Sequence, residues 1–416
     1  MTTTRRRDFL KRIALGTLGA ALSLPRLGNG AGAQVPGSGK AAAGRPNILV
    51  ILADDLGRGD YSAFGTPDIR TPHIDRLCRE GLTFDNFFAN SPVCSPSRAA
   101  LLTGCHPDRV GVPGVIRDET PEQSWGWLAP HAVLLPQALK PAGYHSALIG
   151  KWHLGLSSPN TPNERGFDLF HGFLGDMMDD YWTHRRHGLN LMRHNTAVIE
   201  PQGHATDVFT GWACEHLDDG IGQVLATLDR TGLAANTLVI FTSDNGGVLK
   251  NGANNGPWRS EKCHVYEGGL RVPGAARWPG VIQPGRTTGR FTQTMDIFAT
   301  ACAVAGVTTP TGIDAVSFLP TLRGEAEPAQ ERDYYFVRRE GGPAYGGKTI
   351  EALRRGDLKV LQDSPFEPRE MYDLKSDPLE ATNLVARQRK QFNELSAALR
   401  KQVQRGGAVP WQAPAP

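Results

Sequence analysis

Two uninterrupted apolar runs, Ile48-Leu49-Val50-Ile51-Leu52-Ala53 and Leu238-Val239-Ile240-Phe241-Thr242, constrain this chain more than any other feature. A strand with water on one face alternates apolar and polar residues, because successive side chains point to opposite sides. Runs without that alternation suit strands covered on both faces, as in a parallel sheet with helices above and below. Between the runs, helical and extended signals alternate. Thr71-Pro72 opens a helix with Ile74, Leu77 and Cys78 on one face and Gly81 as its stop; Val133 to Leu139 and the extended Ala147-Leu148-Ile149 follow. His216 to Arg230 carries Leu217, Ile221, Val224, Leu225 and Leu228 at helical spacing, with Gly232 as cap, and leads into the second run. The alternation predicts an α/β layer fold.

The 416 residues suffice for one large domain with a smaller one attached. Residues 1–33 have the order of a twin-arginine export signal: Arg5-Arg6-Arg7, an apolar run from Ile13 to Leu24, then the small residues Ala31-Gly32-Ala33. Residues 34–46 read as a flexible leader, 47–325 as the main domain and 326–416 as a C-terminal α+β subdomain with extended pieces at Tyr334–Val337 and Leu358–Leu361 and a polar helix from Ala381 to Val403. The formal charge of +3 belongs to the leader, since removing residues 1–33 leaves 39 basic and 41 acidic side chains. Net charge therefore gives no case for a nucleic-acid partner, although Arg185, Arg186 and Arg193 form a local basic cluster able to meet an anionic substrate. No later segment approaches the roughly 20 apolar residues of a membrane span, which predicts a periplasmic or secreted protein without stable membrane insertion. The six cysteines (78, 94, 105, 214, 263 and 302) contain no C-x-x-C spacing, and their pairing is left open.

Both apolar runs end in acidic punctuation: Asp54-Asp55-Leu56-Gly57 after the first, and Ser243-Asp244-Asn245-Gly246-Gly247 after the second. Either pair alone is the composition of a turn or a helix cap. Ligands in open α/β sheets, however, sit beyond the carboxyl ends of the strands. Asp54, Asp55, Asp244 and Asn245 converging there would repel one another unless a cation intervened, and all four are hard oxygen ligands for Ca²⁺ or Mg²⁺.

From Ser91 to Gly104 the chain reads Ser-Pro-Val-Cys-Ser-Pro-Ser-Arg-Ala-Ala-Leu-Leu-Thr-Gly. Pro96 and the apolar residues after Arg98 predict a helix that starts beside Cys94 and stops at Gly104. A helix N-terminus favours anions through its free N–H groups and dipole, and Arg98 adds a positive charge one turn on. A cysteine at such a place is otherwise an ordinary core thiol.

The stretch from Cys94 to Gly104 resembles the C-x-P-S-R-x-x-x-L-T-G signature of the type I, formylglycine-dependent sulfatases of the alkaline phosphatase superfamily, arylsulfatases among them. Gly150-Lys151-Trp152-His153-Leu154-Gly155 matches a second family motif, and Lys262, ahead of Tyr266-Glu267-Gly268-Gly269-Leu270-Arg271, falls where the family has a sulfate-binding lysine. Met371-Tyr372-Asp373-Leu374, Asp377-Pro378-Leu379-Glu380 and Asn383 resemble its C-terminal signature, with a role in the fold; Glu267 and Arg271 read as structural too. The resemblance implies an alkaline phosphatase-like fold, a large mixed and mostly parallel sheet sandwiched by helices with the small C-terminal subdomain. It implies hydrolysis of small-molecule or carbohydrate sulfate esters by Cys94 oxidised to formylglycine, whose hydrate attacks sulfur and later expels sulfate. The site residues it implies are Cys94, Arg98, Lys151, His153 as base and Lys262, with Asp54, Asp55, Cys94, Asp244 and Asn245 around Ca²⁺ in preference to Mg²⁺. A formylglycine-generating enzyme and the Tat translocase are the implied maturation and export partners.

The chain departs from the family around 207–216. Asp207 is followed within nine positions by the His216 helix, where the family places a central strand and a sulfate-contacting histidine. A missing middle strand should expose sheet edges or leave a hole. His184, His187, His194 and His204 precede the gap and read as surface residues. Two other functions stay open on sequence alone: a phosphate or phosphonate ester hydrolase of the same superfamily, and a catalytically impaired exported binding protein.

Overall fold

The computed structural model describes residues 44–64, 66, 69–117, 124–205, 207–209, 217–326, 332–340 and 349–412, except the side chains of 217–220. The export signal, leader residues 34–43, Thr206, Cys214 and His216 lie outside the described residues. In chain order the elements are β1 (Asn47–Ala53), α1 (Pro72–Glu80), β2 (Leu82–Phe88), α2 (Cys94–Thr103), α3 (Leu135–Leu139), β3 (Ala147–Lys151) and β4 (Leu169–Phe173). The short strands β5 (Arg185–Arg186), β6 (Leu189–Asn190), β7 (Met192–His194) and β8 (Ala197–Val198) follow, then α4 (Leu217–Arg230), β9 (Thr237–Ser243), α5 (Glu267–Leu270), β10 (Gly274–Arg277) and β11 (Arg286–Gln293). The last elements are α6 (Asp296–Ala305), α7 (Leu319–Arg323), β12 (Asp333–Arg339), β13 (Thr349–Arg355), β14 (Leu358–Gln362), β15 (Glu370–Asp373) and α8 (Arg389–Gly406).

The central sheet has the order β1-β9-β10-β2-β11, with β1 parallel to β9, β2 parallel to β11, and β10 antiparallel to both of its neighbours. β9 is buried along its whole length. Val239 and Phe241 pack with Ile74, Leu77 and Cys78 of α1 and Ile221 and Leu225 of α4. The alternate residues Leu238 and Ile240 join Ile297 of α6, Leu322 of α7 and Phe318, which precedes α7, on the opposite side. Its apolar run thus follows from helices on both faces. β1, read from sequence as equally covered, is instead half-buried over Asn47 to Leu52. Among the described residues β1 pairs with β9 alone, and its other edge faces a cavity. A separate sheet, β3-β4-β7-β8, lies beyond that cavity.

Local signals explain the helices nearest the site. α1 begins at Pro72, buries Ile74, Leu77 and Cys78, and ends before Gly81. α2 begins at Cys94 and ends at Gly104, which takes the left-handed φ of 68° that a C-terminal glycine supplies without steric cost. The C-terminal helix differs from its expected span. It starts at Arg389 rather than Ala381, because Leu384 N–H bonds to the Met371 carbonyl at 2.8 Å and Asn383 Oδ1 accepts from the Met371 and Val385 amides, holding the segment against β15. The basic cluster is also already matched: Arg186 pairs with Asp176 and Asp179, Arg185 with Glu200, and Arg193 donates to backbone carbonyls. His184, expected at the surface, is 3% exposed, whereas His187 and His194 are exposed. No helix among the described residues is long and apolar enough to cross a membrane.

The antiparallel sheet β12-β13-β14-β15 is the C-terminal unit. One face packs Tyr335, Val337, Leu353 and Val360 against Leu395 and Leu399 of α8. The other packs Tyr334, Phe336, Ile350 and Leu361 against Phe88, Val265 and Leu270 of the main domain. Lys359 lies at this junction without solvent exposure, its Nζ 3.0 Å from Glu267 Oε1 and 2.9 Å from Glu380 Oε1. Burial raises the Glu267 carboxyl, but Lys359, Arg271 and Arg354 outweigh it and hold the group at about 2. Because that value lies below the 4.5 of a free glutamate, its contribution to stability is complete above pH 4.5 and is lost as pH falls toward 2. Lys359→Met should cost about 3–5 kcal/mol by stranding two buried carboxylates. Urea unfolding of the wild type and variant at pH 7 and pH 3 checks both points, with the wild type much weaker at the lower pH.

Candidate active site

The register of the parallel pair builds the site. Ala53 of β1 lies opposite Ser243 of β9, so the next residues on each strand, Asp54 and Asp244, leave the sheet at the same level. The crossing is tied by hydrogen bonds from Asp244 N–H to the Ala53 carbonyl (3.1 Å), from Asp55 N–H to Asp244 Oδ1 (3.2 Å) and from Leu56 N–H to Ser243 Oγ (3.0 Å). The glycines after Asn245 allow close approach: a Cβ on Gly246 would stand 2.0 Å from the Gly268 carbonyl oxygen. Asp55, His153 and Cys263 all have φ between 58° and 77°, so three non-glycine residues around the centre hold a left-handed backbone.

Cys94, 4% exposed, is the first residue of α2, and its Sγ lies 3.8 Å from Asp55 Oδ1 and 3.4 Å from Lys262 Nζ. Lys262 is set by its own backbone, with its N–H on the Gly247 carbonyl and the next N–H, of Cys263, on the Pro92 carbonyl. Its ammonium contacts both Asp55 oxygens at 2.6 and 2.7 Å. Arg98 joins the acidic residues: Nε and Nη2 donate to Asp244 Oδ2 at 3.0 and 2.8 Å, and Nη2 also reaches Asp54 Oδ1 at 2.9 Å. Its Nη1 donates to the Lys151 carbonyl at 2.9 Å, while Lys151 Nζ contacts Asp54 Oδ1 and Oδ2 at 2.9 and 3.1 Å.

The electrostatics follow from crowding. Asp244 has no exposure, and burial together with the charge of Asp54 pushes its carboxyl up to about 7. Asp54 goes the other way. Desolvation within the cluster raises it, although its side chain is about half exposed, but Lys151 and Arg98 prevail and hold it well below the usual carboxylate range. Burial drives the Cys94 thiol up to about 12 despite Lys151 and Lys262, so the unmodified side chain is a protonated and weak nucleophile. His153 is 2% exposed, and burial, reinforced by Lys151 and Arg98, depresses its imidazole well below 6.5. Its Nε2 lies 2.8 Å from the Ile116 carbonyl, which can only accept, so this nitrogen carries the proton. Nδ1, buried without a hydrogen-bond partner among the described residues, keeps its lone pair.

Ligand atoms of Asp54, Asp55, Cys94 and Asp244 lie within 4.8 Å of one another. Asn245 completes the group: its Nδ2 donates to Asp55 Oδ1 at 2.8 Å, while its buried Oδ1 has no hydrogen-bond partner among the described residues. An orphan amide oxygen beside three carboxylates fits a hard divalent cation, which would satisfy it and relieve the repulsion that raises Asp244. Eight of the nine residues singled out in the sequence therefore meet here through direct contacts, and the ninth, His153, follows Lys151 by two residues, near enough for the charges of Lys151 and Arg98 to depress its imidazole. Sequence reasoning missed the Ile116 carbonyl that fixes the His153 tautomer and Ser95, whose Oγ accepts from the Ile116 N–H at 3.1 Å. A backbone carbonyl leaves no mark in a sequence. Ser95 does lie inside the Cys94 motif.

Comparison with known proteins bears on this geometry. The family model described as Sulfatase matches residues 46–209 and 213–307. Human (Homo sapiens) N-acetylgalactosamine-6-sulfatase is 34% identical, the match spanning 67% of this chain and 66% of that protein's length. Steryl-sulfatase of Rattus norvegicus is 31% identical over 70% of this chain and 72% of that protein. The solved structure of Ps i-CgsB in complex with k-i-k-neocarrahexaose has the same fold, with a TM-score of 0.78 at 24% identity over 89% of this chain and 95% of that one.

The state of Cys94 is open to direct measurement. In folded, unmodified protein at pH 8, iodoacetamide should alkylate Cys94 roughly 100-fold or more slowly than free cysteine, because the thiolate is scarce and buried. Peptide mass spectrometry over a time course checks this, and denaturation should restore the ordinary rate.

Proposed function

The chain belongs to the sulfatase family, and from that membership we propose that it hydrolyses sulfate esters, with Cys94 converted to formylglycine and a divalent cation, Ca²⁺, held by Asp54, Asp55, Asp244 and Asn245. One observation carries the reading: a cluster in which Cys94 lies at a helix N-terminus, with Lys262 3.4 Å from its sulfur, Arg98 bridging Asp54 and Asp244, and Lys151 on Asp54. The human relative's name places its ester on a sugar, and we extend that substrate class, a carbohydrate sulfate, to this chain.

In the proposed reaction the sulfur of Cys94 stands where the oxygens of a hydrated aldehyde would be. That group supplies one oxygen to attack sulfur and a second whose deprotonation releases sulfate. A bound Ca²⁺ would supply positive charge against the ester's sulfate oxygens. Lys262 contributes what a neutral side chain cannot, an ammonium within reach of both the Cys94 position and Asp55. Lys151 offers a second ammonium from the far side, and these charges are in place before the reaction, where they stabilise negative charge most effectively. Arg98 has no spare role as an acid, because burial is overcome by Asp244 and Asp54 and its charge is permanent. It positions the carboxylates and the Lys151 backbone. His153, neutral at working pH and with a buried Nδ1 lone pair that no hydrogen bond among the described residues occupies, is the base for the hydrate's second proton. We further propose export by the twin-arginine route after maturation by a formylglycine-generating enzyme, which places the mature protein in the periplasm or outside the cell.

The test is hydrolysis of 4-nitrophenyl sulfate by protein co-expressed with a formylglycine-generating enzyme, beside 4-nitrophenyl phosphate. Sulfate should be the better substrate, and Cys94→Ala should abolish turnover. Lys262→Met and Lys151→Met should each lower kcat by about 10²–10³ with the fold intact by circular dichroism. Chelation of Ca²⁺ should remove activity and lower the Tm, and added Ca²⁺ should restore both. Equal rates for Cys94→Ala and wild type would refute the assignment.

A further inference from the structure

β1 and β3 run side by side in the same direction without touching through their backbones. At their N-terminal ends Tyr144 Oη donates to the Pro46 carbonyl at 2.7 Å, and the Arg45 guanidinium donates to the Ala142 carbonyl. At their C-terminal ends Lys151 Nζ meets Asp54. Between these ties lies a cavity of about 650 Å³. Ile48, Val50 and Leu52 line it from β1, and Ala147, Leu148 and Ile149 from β3. Each strand is terminal in its sheet, so among the described residues the facing edges have no strand partner. The burial agrees: β1 is half-buried through Leu52 although wholly apolar from Ile48, and Ile149 is 40% exposed.

We propose that this slot is a strand-accepting site, filled by an extended apolar peptide of five to seven residues from another polypeptide, which pairs with β1 and β3 at once. The length follows from the flanking strands, of 7 and 5 residues. The occupant's chemistry follows from the lining. Its walls are apolar, and charge is confined to the ends, with Asp54, Arg98, Lys151 and Asp176 at one mouth and His145 at the other. An apolar small molecule would fill the volume but leave two rows of backbone donors and acceptors facing it, whereas a strand satisfies both rows. A strand covered on two edges and two faces reads as a continuous apolar run, as β9 does here. Insertion would join the central sheet and the β3-β4-β7-β8 sheet into one. The proposal does not depend on the nature of the reaction at Cys94.

The test is hydrogen exchange of the full chain with a synthetic peptide copying Thr237–Ser243, capped with lysines for solubility. The control peptide carries proline in place of the central isoleucine and so cannot complete a ladder. With the first peptide, exchange across 47–53 and 147–151 should slow about tenfold together, while β8, at the far edge of the second sheet, stays unchanged. Ile149→Lys, at a partly exposed position outside the catalytic group, should weaken the peptide's effect at least about tenfold by placing a charge in the slot. Three results would each overturn the proposal: no slowing, equal slowing by the proline peptide, or full protection of both segments in the protein alone, which would mean that the chain fills its own slot.

Discussion

The parallel register between β1 and β9 is the constraint on which the rest depends. It sets Asp54 and Asp244 at one level just beyond the ends of adjacent strands, with Asp55 and Asn245 a residue further on. Carboxylates that close, one of them without solvent, are tolerable only if positive charge is built in around them. Arg98 supplies most of it. Its planar fork meets two carboxylates and a backbone carbonyl at once, a geometry a lysine does not offer. Lys151 and Lys262 neutralise the outer oxygens, and the orphan Asn245 oxygen marks the place where a cation would complete the balance.

The C-terminal sheet bears on the same centre through the loop that carries Lys262. Two residues after it, His264 Nδ1 lies 2.6 Å from Asp363 Oδ2, and the Val265 N–H donates to Asp363 Oδ1 at 2.8 Å. Glu267 then anchors the loop to Lys359 and, through its N–H, to Glu380. A lysine whose head contacts the Cys94 sulfur is thereby held from a separate layer of the molecule, and a buried ion network fixes where that layer sits. Such networks add more to uniqueness of placement than to net stability, since each buried charge loses its hydration.

The site also spans the seam between two sheets. Asp54, Asp244 and Arg98 belong to the central sheet and its helix, while Lys151 and His153 leave the end of β3 on the other side of the slot. The two sides are coupled at the mouth by side chains, through Lys151 to Asp54 and Arg98 to the Lys151 carbonyl, with no backbone ladder between them among the described residues. The spacing of catalytic groups across the seam is therefore set by the same gap that the apolar slot occupies.

Much of this was legible in the sequence because it is local. The apolar run of β9, the Pro72 and Gly81 ends of α1, and Cys94 and Gly104 at the two ends of α2 are written in neighbouring residues whose backbone preferences are short-range. The candidate site residues were readable for a second reason: their motifs pair chemistry with punctuation, acids after apolar runs and a cysteine before a helix. Other features required the tertiary structure. An apolar run reports that burial is available, but not that β1 would end up at a sheet edge beside a cavity. The late start of α8 depends on Asn383 and Leu384 meeting β15, and the burial of His184 likewise depends on distant packing. Which nitrogen of His153 bears the proton was decided by the Ile116 carbonyl, 37 residues away in the chain. Sequence alone determined which residues could carry charge and where the backbone would turn; the tertiary structure decided which charges face one another, because electrostatic and edge-pairing energies depend on distances that only the folded chain sets.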